Sequence, residues 1–261
     1  MKKQTLDYEL IKKNFKEAFY TILNNEQAFK IFLYEIFVYG TAYIVGGFLR
    51  DIILKKESRD VDIIVDLSHE LLIKIINESG VQYSINRHNG IKVNFGNLQI
   101  DLWSIENNWA FKNKLVKLNE EKKLESIAKG CFYNYDSLVI NLHILNMNIR
   151  YYSNFYETKK LEILQRKPLY KILNPTKEAN ILRAFYLKKL FNVSYSSNAK
   201  NYLINKILEL KDKNLSPIEV LVKKKSEYAK YDKILSEIDI ELYINEILND
   251  NLIDNQLVLK F

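Results

Sequence analysis

Two aspartates, Asp60 and Asp62, stand two positions apart at the start of the run Asp-Val-Asp-Ile-Ile-Val. In a β-strand, residues two apart point to the same face, so this spacing places both carboxylates side by side. Neighbouring carboxylates repel each other unless a divalent cation lies between them, and carboxylate oxygens are ligands that suit Mg²⁺. The pair therefore predicts a magnesium site on a strand.

A third carboxylate is available in Asp101, which lies in the strand-like run Leu-Gln-Ile-Asp-Leu-Trp at 98–103. If this strand pairs beside the strand of Asp60 and Asp62, the three carboxylates converge. Such a set serves two-metal phosphoryl transfer, in which one ion lowers the pKa of the attacking hydroxyl and the other holds the triphosphate and stabilises the leaving pyrophosphate. Asp101, on the hydroxyl side, is then predicted to be the general base.

A glycine pair, Gly46-Gly47, separates the short apolar run 42–45 from a helix-like segment at 48–55. Glycine lets the backbone approach a ligand closely, and a helix start offers free N–H groups and the positive end of the helix dipole. Arg50, about one turn into that helix, adds a fixed positive charge. Gly46, Gly47 and Arg50 are therefore predicted to bind the phosphates of a nucleotide.

A second alternating acidic run, Glu-Ile-Asp-Ile-Glu at 237–241, serves as a control within the same chain. It has no glycine pair before it and lies in a segment predicted to be helical, where residues two apart do not share a face. Alternating carboxylates alone are thus weak evidence. A glycine pair, then Arg-Asp, then Asp-x-Asp starting thirteen residues after the second glycine is a much more specific pattern.

The run Gly-Gly-Phe-Leu-Arg-Asp at 46–51, followed by Asp-Val-Asp at 60–62, resembles the nucleotidyltransferase superfamily that includes DNA polymerase beta. It is most similar to the head domain shared by bacterial CCA-adding tRNA nucleotidyltransferases and poly(A) polymerases, whose pattern is Gly-Gly-x-Val-Arg-Asp, a spacer and Asp-x-Asp. The run His-Asn-Gly-Ile at 88–91 resembles the family's turn before the third carboxylate. The resemblance implies that Asp101 takes that role.

Softer likenesses follow along the chain. The run 134–138 resembles a diverged form of the family's Arg-Arg-Asp-Phe-Thr-Ile-Asn-Ala motif, with Asp136 where asparagine is usual. Lys129 lies near the position of the missing arginine pair and is assigned as a substitute phosphate ligand. Leu-Arg-Ala-Phe at 182–185 resembles the passage from head to helical neck, and Arg183 is assigned to nucleotide binding. Residues 176–180 lack the Asp and Arg with which CCA-adding enzymes select the base.

The elements that must position these residues can be predicted from the apolar spacing. Apolar residues recur at helical steps over 6–38 and beyond about 168, where no glycine occurs, and strand-like runs fill the region between. All seven glycines lie between positions 40 and 130. The predicted fold is α/β (α+β): a palm-like mixed sheet with helices, followed by an all-helical part. The predicted segments are an N-terminal helical segment 1–39, a catalytic head domain 40–165 and a basic, neck-like helical domain 166–261 with an acidic tail.

Composition excludes several classes of protein. The 261 residues carry 39 Lys and Arg against 32 Asp and Glu, a net charge of +7, which favours an anionic partner. The basic excess includes Lys223-Lys224-Lys225, interpreted either as a solvated helix face or as a contact to RNA phosphates. The lone cysteine, Cys131, excludes an internal disulfide and makes a cysteine-based zinc site untenable. No apolar run reaches the ~20 residues of a membrane span and the N-terminus lacks a signal-like segment, so a cytoplasmic protein is expected.

The leading hypothesis is an Mg²⁺-dependent nucleotidyltransferase with two metal ions. It would transfer a nucleoside monophosphate from an NTP, ATP or CTP, to a hydroxyl of RNA, such as a tRNA 3′ end, with the basic helices at 166–234 receiving the acceptor. One alternative is a toxin or defence enzyme that modifies tRNA or a protein hydroxyl. The other is a degenerate head domain that only binds RNA or a partner.

Overall fold

The computed structural model describes residues 6–56, 60–86, 88–165, 176–211 and 216–258, without the side chains at 60, 211 and 250–258. The chain divides into two compact units, Met1–Glu157 with Leu164–Arg166, and Thr158–Ile163 with Lys167–Phe261. Each unit is described by itself. The three-part division expected from the sequence stays a prediction.

The first unit is built around a seven-stranded sheet with the strand order β3-β4-β5-β2-β1-β6-β7. β2 and β5 run parallel, and the other neighbouring strands in this sheet pair antiparallel. The strands are β1 (Ala42–Val45), β2 (Asp60–Val65), β3 (Tyr83–Ile85), β4 (Ile91–Phe95), β5 (Leu98–Ser104), β6 (Val139–Asn141) and β7 (Met147–Asn148).

Two of the longer helices of this unit begin at residues whose side chains cap the first turn. Asp7 accepts a hydrogen bond from the backbone N–H of Leu10 at the start of α1, and Ser68 caps α4 through Leu71, as its position predicts. The helices are α1 (Tyr8–Asn25), α2 (Gln27–Tyr39), α3 (Gly47–Ile53), α4 (His69–Glu78), α5 (Trp109–Lys112), α6 (Lys123–Gly130) and α7 (Arg150–Thr158). Short 3₁₀ turns occupy Ile105–Asn107, Glu120–Lys122 and Asn134–Asp136.

Strand alternation divides the sheet into two faces. On one face, Val93 and Phe95 of β4 are buried, and the Phe95 ring lies 5.4 Å from Phe29 and 5.3 Å from Phe32 of α2. The period of two sends Lys92 of β4 to the opposite face, where its side chain is 49% exposed to solvent. Packing on one face therefore leaves the polar residues of the central strands exposed on the other.

Beyond Asp62, towards the end of β2, helix α6 packs on this same face of the sheet. Tyr43 of β1 and Ile64 of β2 form one buried cluster with Ile127 and Ala128 of α6. Lys123, at the start of α6, forms ion pairs with Asp66, just after β2, and with Glu120. Burial alone would lower the pKa of Lys123, but its hydrogen bonds to the two carboxylates outweigh that and raise the pKa. These contacts fix α6 over the end of β2 that follows Asp62.

In its described residues, the second unit consists of helices and one short strand pair, as the sequence predicts for its larger part. β8 (Lys160–Leu161) and β9 (Ser194–Tyr195) pair in parallel. The helices are α8 (Lys177–Phe191), α9 (Ser197–Lys211), α10 (Pro217–Ser226), α11 (Ala229–Asp232) and α12 (Glu237–Val258). The acidic run 237–241 lies in α12, so it is helical and not a second strand site. The predicted fold class is confirmed.

No helix in the described ranges is both long and apolar enough to cross a membrane.

Candidate active site

The parallel pairing of β2 and β5 brings two of the three predicted carboxylates together. Asp62 lies directly opposite Asp101, and Asp60, the first residue of β2, lies opposite Gln99. Asp62 is exposed, and the side chain of Asp101 is 30% exposed. Adjacent strands lie about 4.8 Å apart, so residues paired in register hold their side chains next to each other. The result is a solvent-accessible row of carboxylates on the open face of the sheet.

A lysine that the sequence interpretation missed extends this row. Lys92 of β4 is the register partner of Asp101, and its Nζ lies 3.9 Å from Asp101 Oδ1. The signal was present in the sequence: Phe95 pairs with Leu98 across a two-residue turn, and counting back from that turn places Lys92 opposite Asp101. The row therefore reads Asp62, Asp101, Lys92 across three strands.

The described residues include no cluster of three His, Cys, Asp or Glu side chains that could hold a metal. The side chain of Asp60, the remaining carboxylate of the predicted set, lies outside the described part. Asp62 and Asp101 alone supply carboxylate oxygens from adjacent strands, the donor type that Mg²⁺ prefers. The residues present thus fit a magnesium site in donor chemistry and in register.

The glycine turn lies beside the start of β2. β1 runs antiparallel to β2 with Ile44 opposite Ile63, so the residues just after β1 lie next to those just before Ile63. Gly46 has φ +70° and donates its N–H to the carbonyl of Leu138 at 2.8 Å. A Cβ at Gly46 would lie 3.2 Å from the carbonyl oxygen of Asp136. Both the positive φ and this close approach require glycine.

Arg50 contacts two residues, Tyr135 and Asp136, of the segment that also lies next to the glycine turn. Its Nη1 donates to Asp136 Oδ1 at 2.9 Å, and its guanidinium lies 4.3 Å from the ring centroid of Tyr135. The two charged side chains are only 15% and 19% exposed. The predicted phosphate ligand therefore already has a carboxylate partner, and a phosphate at Arg50 would compete with Asp136.

The other predicted ligands are also placed. Lys129 Nζ lies 2.7 Å from Glu125 Oε1 within α6. Arg183 lies on α8 in the second unit, so the structure gives no relation between it and the carboxylate row.

In the basic cluster of α10, Lys224 pairs with Glu227 and Lys225 with Asp232, while Lys223 is exposed. Ion pairs within the second unit thus offset two of the three charges of that cluster.

The segment that carries the carboxylates and the glycine turn also matches a known family model. Residues 42–130 match the model of the poly A polymerase head domain. This segment contains the glycine turn, β2 and β5, and thus all three predicted carboxylates. No curated protein matches the sequence at a significant level.

Solved structures share the fold over most of the chain. A CCA-adding enzyme with CTP is 16% identical over 87% of this chain and 51% of its own, with a TM-score of 0.60. A Thermotoga maritima CCA-adding enzyme complexed with tRNA is 17% identical, covering 87% and 51%, with a TM-score of 0.59. A tRNA nucleotidyltransferase complexed with a primer tRNA and an incoming ATP analog is 21% identical, covering 80% and 59%, with a TM-score of 0.53.

The chain spans between half and three fifths of the length of these three structures. The family model covers residues 42–130, and the structural similarity extends over 80–87% of the chain. The resemblance inferred from the glycine and aspartate motifs is therefore confirmed: the chain is related to poly A polymerase head domains and shares the fold of CCA-adding enzymes.

Proposed function

We propose that this protein is a nucleotidyltransferase that transfers a nucleoside monophosphate from an NTP to a hydroxyl of RNA and releases pyrophosphate. The observation that carries the proposal is the register of β2 and β5, which sets Asp62 beside Asp101 within the segment that matches the poly A polymerase head domain. Carboxylates at this spacing on one face are the ligand set that phosphoryl transfer needs.

In this proposal Asp60, Asp62 and Asp101 hold Mg²⁺. Two bound ions would activate the acceptor hydroxyl and stabilise the charge that develops on the triphosphate. Asp101 accepts the proton of that hydroxyl, since its side chain lies on the open face between Asp62 and Lys92 and is 30% exposed to solvent. Lys92, whose Nζ lies 3.9 Å from Asp101 Oδ1, forms an ion pair that helps to orient this carboxylate.

The phosphates of the NTP are proposed to contact Gly46, Gly47 and Arg50, with Lys129 and Arg183 as further nucleotide ligands. The absence of a Cβ at the turn allows the close backbone approach that a phosphate needs. Arg50 would bind phosphate by exchanging its partner, since its guanidinium is paired with Asp136 in the structure. Asp136 thus lowers the affinity of Arg50 for an anion.

Asp136→Asn gives a test of that competition. The variant removes the carboxylate from Arg50, so we expect the KM for NTP to fall several-fold. We also expect the free energy of unfolding to fall by about 1–3 kcal/mol, because a largely buried hydrogen bond between charged groups is lost. Steady-state kinetics and urea denaturation measure the two effects. Glu78→Gln, the same chemical change in the exposed pair Lys74–Glu78, is the control. A KM that rises in Asp136→Asn would contradict the role of Arg50.

The proposed acceptor is RNA, with tRNA as the first candidate and ATP or CTP as the nucleotide. The net charge of +7 favours a polyanionic partner. Among the structures that share the fold, one CCA-adding enzyme is complexed with tRNA and one with CTP. The second unit carries Lys223, an exposed lysine of the basic cluster, and is proposed to receive the RNA.

The experiment that tests the function is incubation of the full chain with Mg²⁺, total tRNA and each of the four NTPs in turn, labelled at the α-phosphate. The expected result is label on RNA from ATP or CTP. Label on a protein instead of RNA would favour the alternative of a defence enzyme with a protein acceptor. If the wild-type chain leaves no label on any RNA or protein, just as Asp62→Asn is expected to do, the result contradicts the proposal.

A further inference from the structure

A cavity of about 510 Å³ lies beside α6, within the first unit. One wall is the stripe of α6 formed by Glu125, Ser126 and Lys129, preceded by Lys122, and the other is the segment 116–119. The buried hydroxyl of Ser126 accepts a hydrogen bond from the backbone N–H of Asn119 at 3.1 Å, which ties the two walls together. Cavities of this size accommodate small molecules such as a mononucleotide.

The charge of the lining is positive. Three lysines (Lys117, Lys122 and Lys129) and one glutamate (Glu125) line the cavity. The hydrogen bond from Lys129 lowers the pKa of Glu125, and a second hydrogen bond from the Tyr151 hydroxyl lowers it further. Glu125 is therefore ionised at neutral pH and offsets one lysine, so the cavity keeps two uncompensated positive charges.

We infer that this cavity binds the phosphate group of a nucleotide or of RNA. Lysine ammonium groups bind phosphate as point charges, and several of them around one concave site select an anion over a neutral ligand. Lys117 and Lys122 are exposed, and Lys129 Nζ lies 2.7 Å from Glu125 Oε1. Lys129 is thus oriented by its ion pair, and the two exposed lysines can contact an anion in the cavity.

The cavity is separate from the carboxylate row but lies on the same face of the sheet. Leu118, from one wall, and Trp103 both pack against the buried cluster that Ile64 forms with residues of α6. Ile64 follows Asp62 by two residues, and Trp103 follows Asp101 by two, so both belong to the face of the row. Only the role of Lys129 as a phosphate ligand rests on the proposed function. Lys117 and Lys122 are further phosphate ligands, and their binding of phosphate needs no metal ion.

The test is isothermal titration of the full chain in EDTA with two probes, ATP and a short 5′-phosphorylated RNA oligonucleotide. We expect the double variant Lys117→Gln/Lys122→Gln to bind at least one probe about tenfold more weakly or worse, since hydrogen bonds to charged groups each contribute about a factor of ten. The control is Lys13→Gln/Lys16→Gln, which removes the same charge from the exposed side of α1.

Each outcome decides the inference. Weaker binding of ATP alone identifies a free nucleotide as the source of the phosphate, and weaker binding of the oligonucleotide identifies RNA. Equal weakening in the α1 control, or no binding of either probe to the wild type, would overturn the inference. If the lysine variant binds weakly while the wild type transfers no nucleotide, the proposed function fails and the phosphate site stands. If transfer occurs and the lysine variant binds normally, the phosphate site fails alone.

Discussion

Asp101→Asn and Asp62→Asn are each expected to lower the rate of nucleotide transfer by at least about 10²–10⁴-fold, the range that a positioned acid or base contributes. Asparagine keeps the size of the side chain and the strand pairing, but it cannot accept the proton of the acceptor hydroxyl and carries no charge to hold Mg²⁺. The measurement is the single-turnover rate with saturating enzyme, which separates the chemical step from product release.

The chain supplies a matched control for these variants. Glu241→Gln makes the same kind of change in the alternating acidic run of α12, where Glu241 is exposed and helical. We expect its transfer rate to stay within about twofold of the wild type, as for surface substitutions away from a site. If Asp101→Asn loses no more activity than Glu241→Gln, then the residue is not the general base and the row is not the active site.

Phe95→Ala is expected to lower the free energy of unfolding by about 3–5 kcal/mol, the usual cost of truncating a buried phenylalanine. The Phe95 side chain is 1% exposed, and its ring lies between Phe29 and Phe32 of α2, so its removal leaves a cavity between helix and sheet. Urea denaturation monitored by circular dichroism measures the change.

Ile85→Ala is the control for this substitution. Ile85 lies in β3 of the same sheet, but its side chain is 49% exposed. We expect it to cost less than about 1 kcal/mol, since little apolar surface returns to water. Equal losses from the two variants would contradict the packing of α2 on the sheet.

The sequence could predict the face and register of the carboxylates within their own strands, because strand alternation and short turns are local patterns. Strand alternation places Asp60 and Asp62 on one face, and the short turn between β4 and β5 fixes the register of Asp101. The placement of β5 beside β2 was a hypothesis from the resemblance and from the need for a third carboxylate, and the parallel direction of the two strands was not predicted. Local periodicity carries no information about which strands become neighbours.

Contacts between residues far apart in the chain could not be predicted from the sequence alone. Asp136 lies 86 positions from Arg50, and no spacing rule connects them. Lys129 and Glu125 are four residues apart on a helix, so their ion pair could have been predicted, yet Lys129 was interpreted only as a phosphate ligand. The aromatic contacts that bind α2 to β4 also join distant residues.

The central claim is that the carboxylate row transfers a nucleoside monophosphate to RNA. The most direct measurement compares two labelled forms of the same NTP, one labelled at the α-phosphate and one at the γ-phosphate, with the RNA acceptor and Mg²⁺. We expect that RNA gains the α-label alone, that labelled pyrophosphate appears from the γ-labelled form, and that both signals fall at least about 10²-fold in Asp62→Asn. Transfer of the γ-label to RNA, or α-labelling that persists at the wild-type level in Asp62→Asn, would contradict the claim.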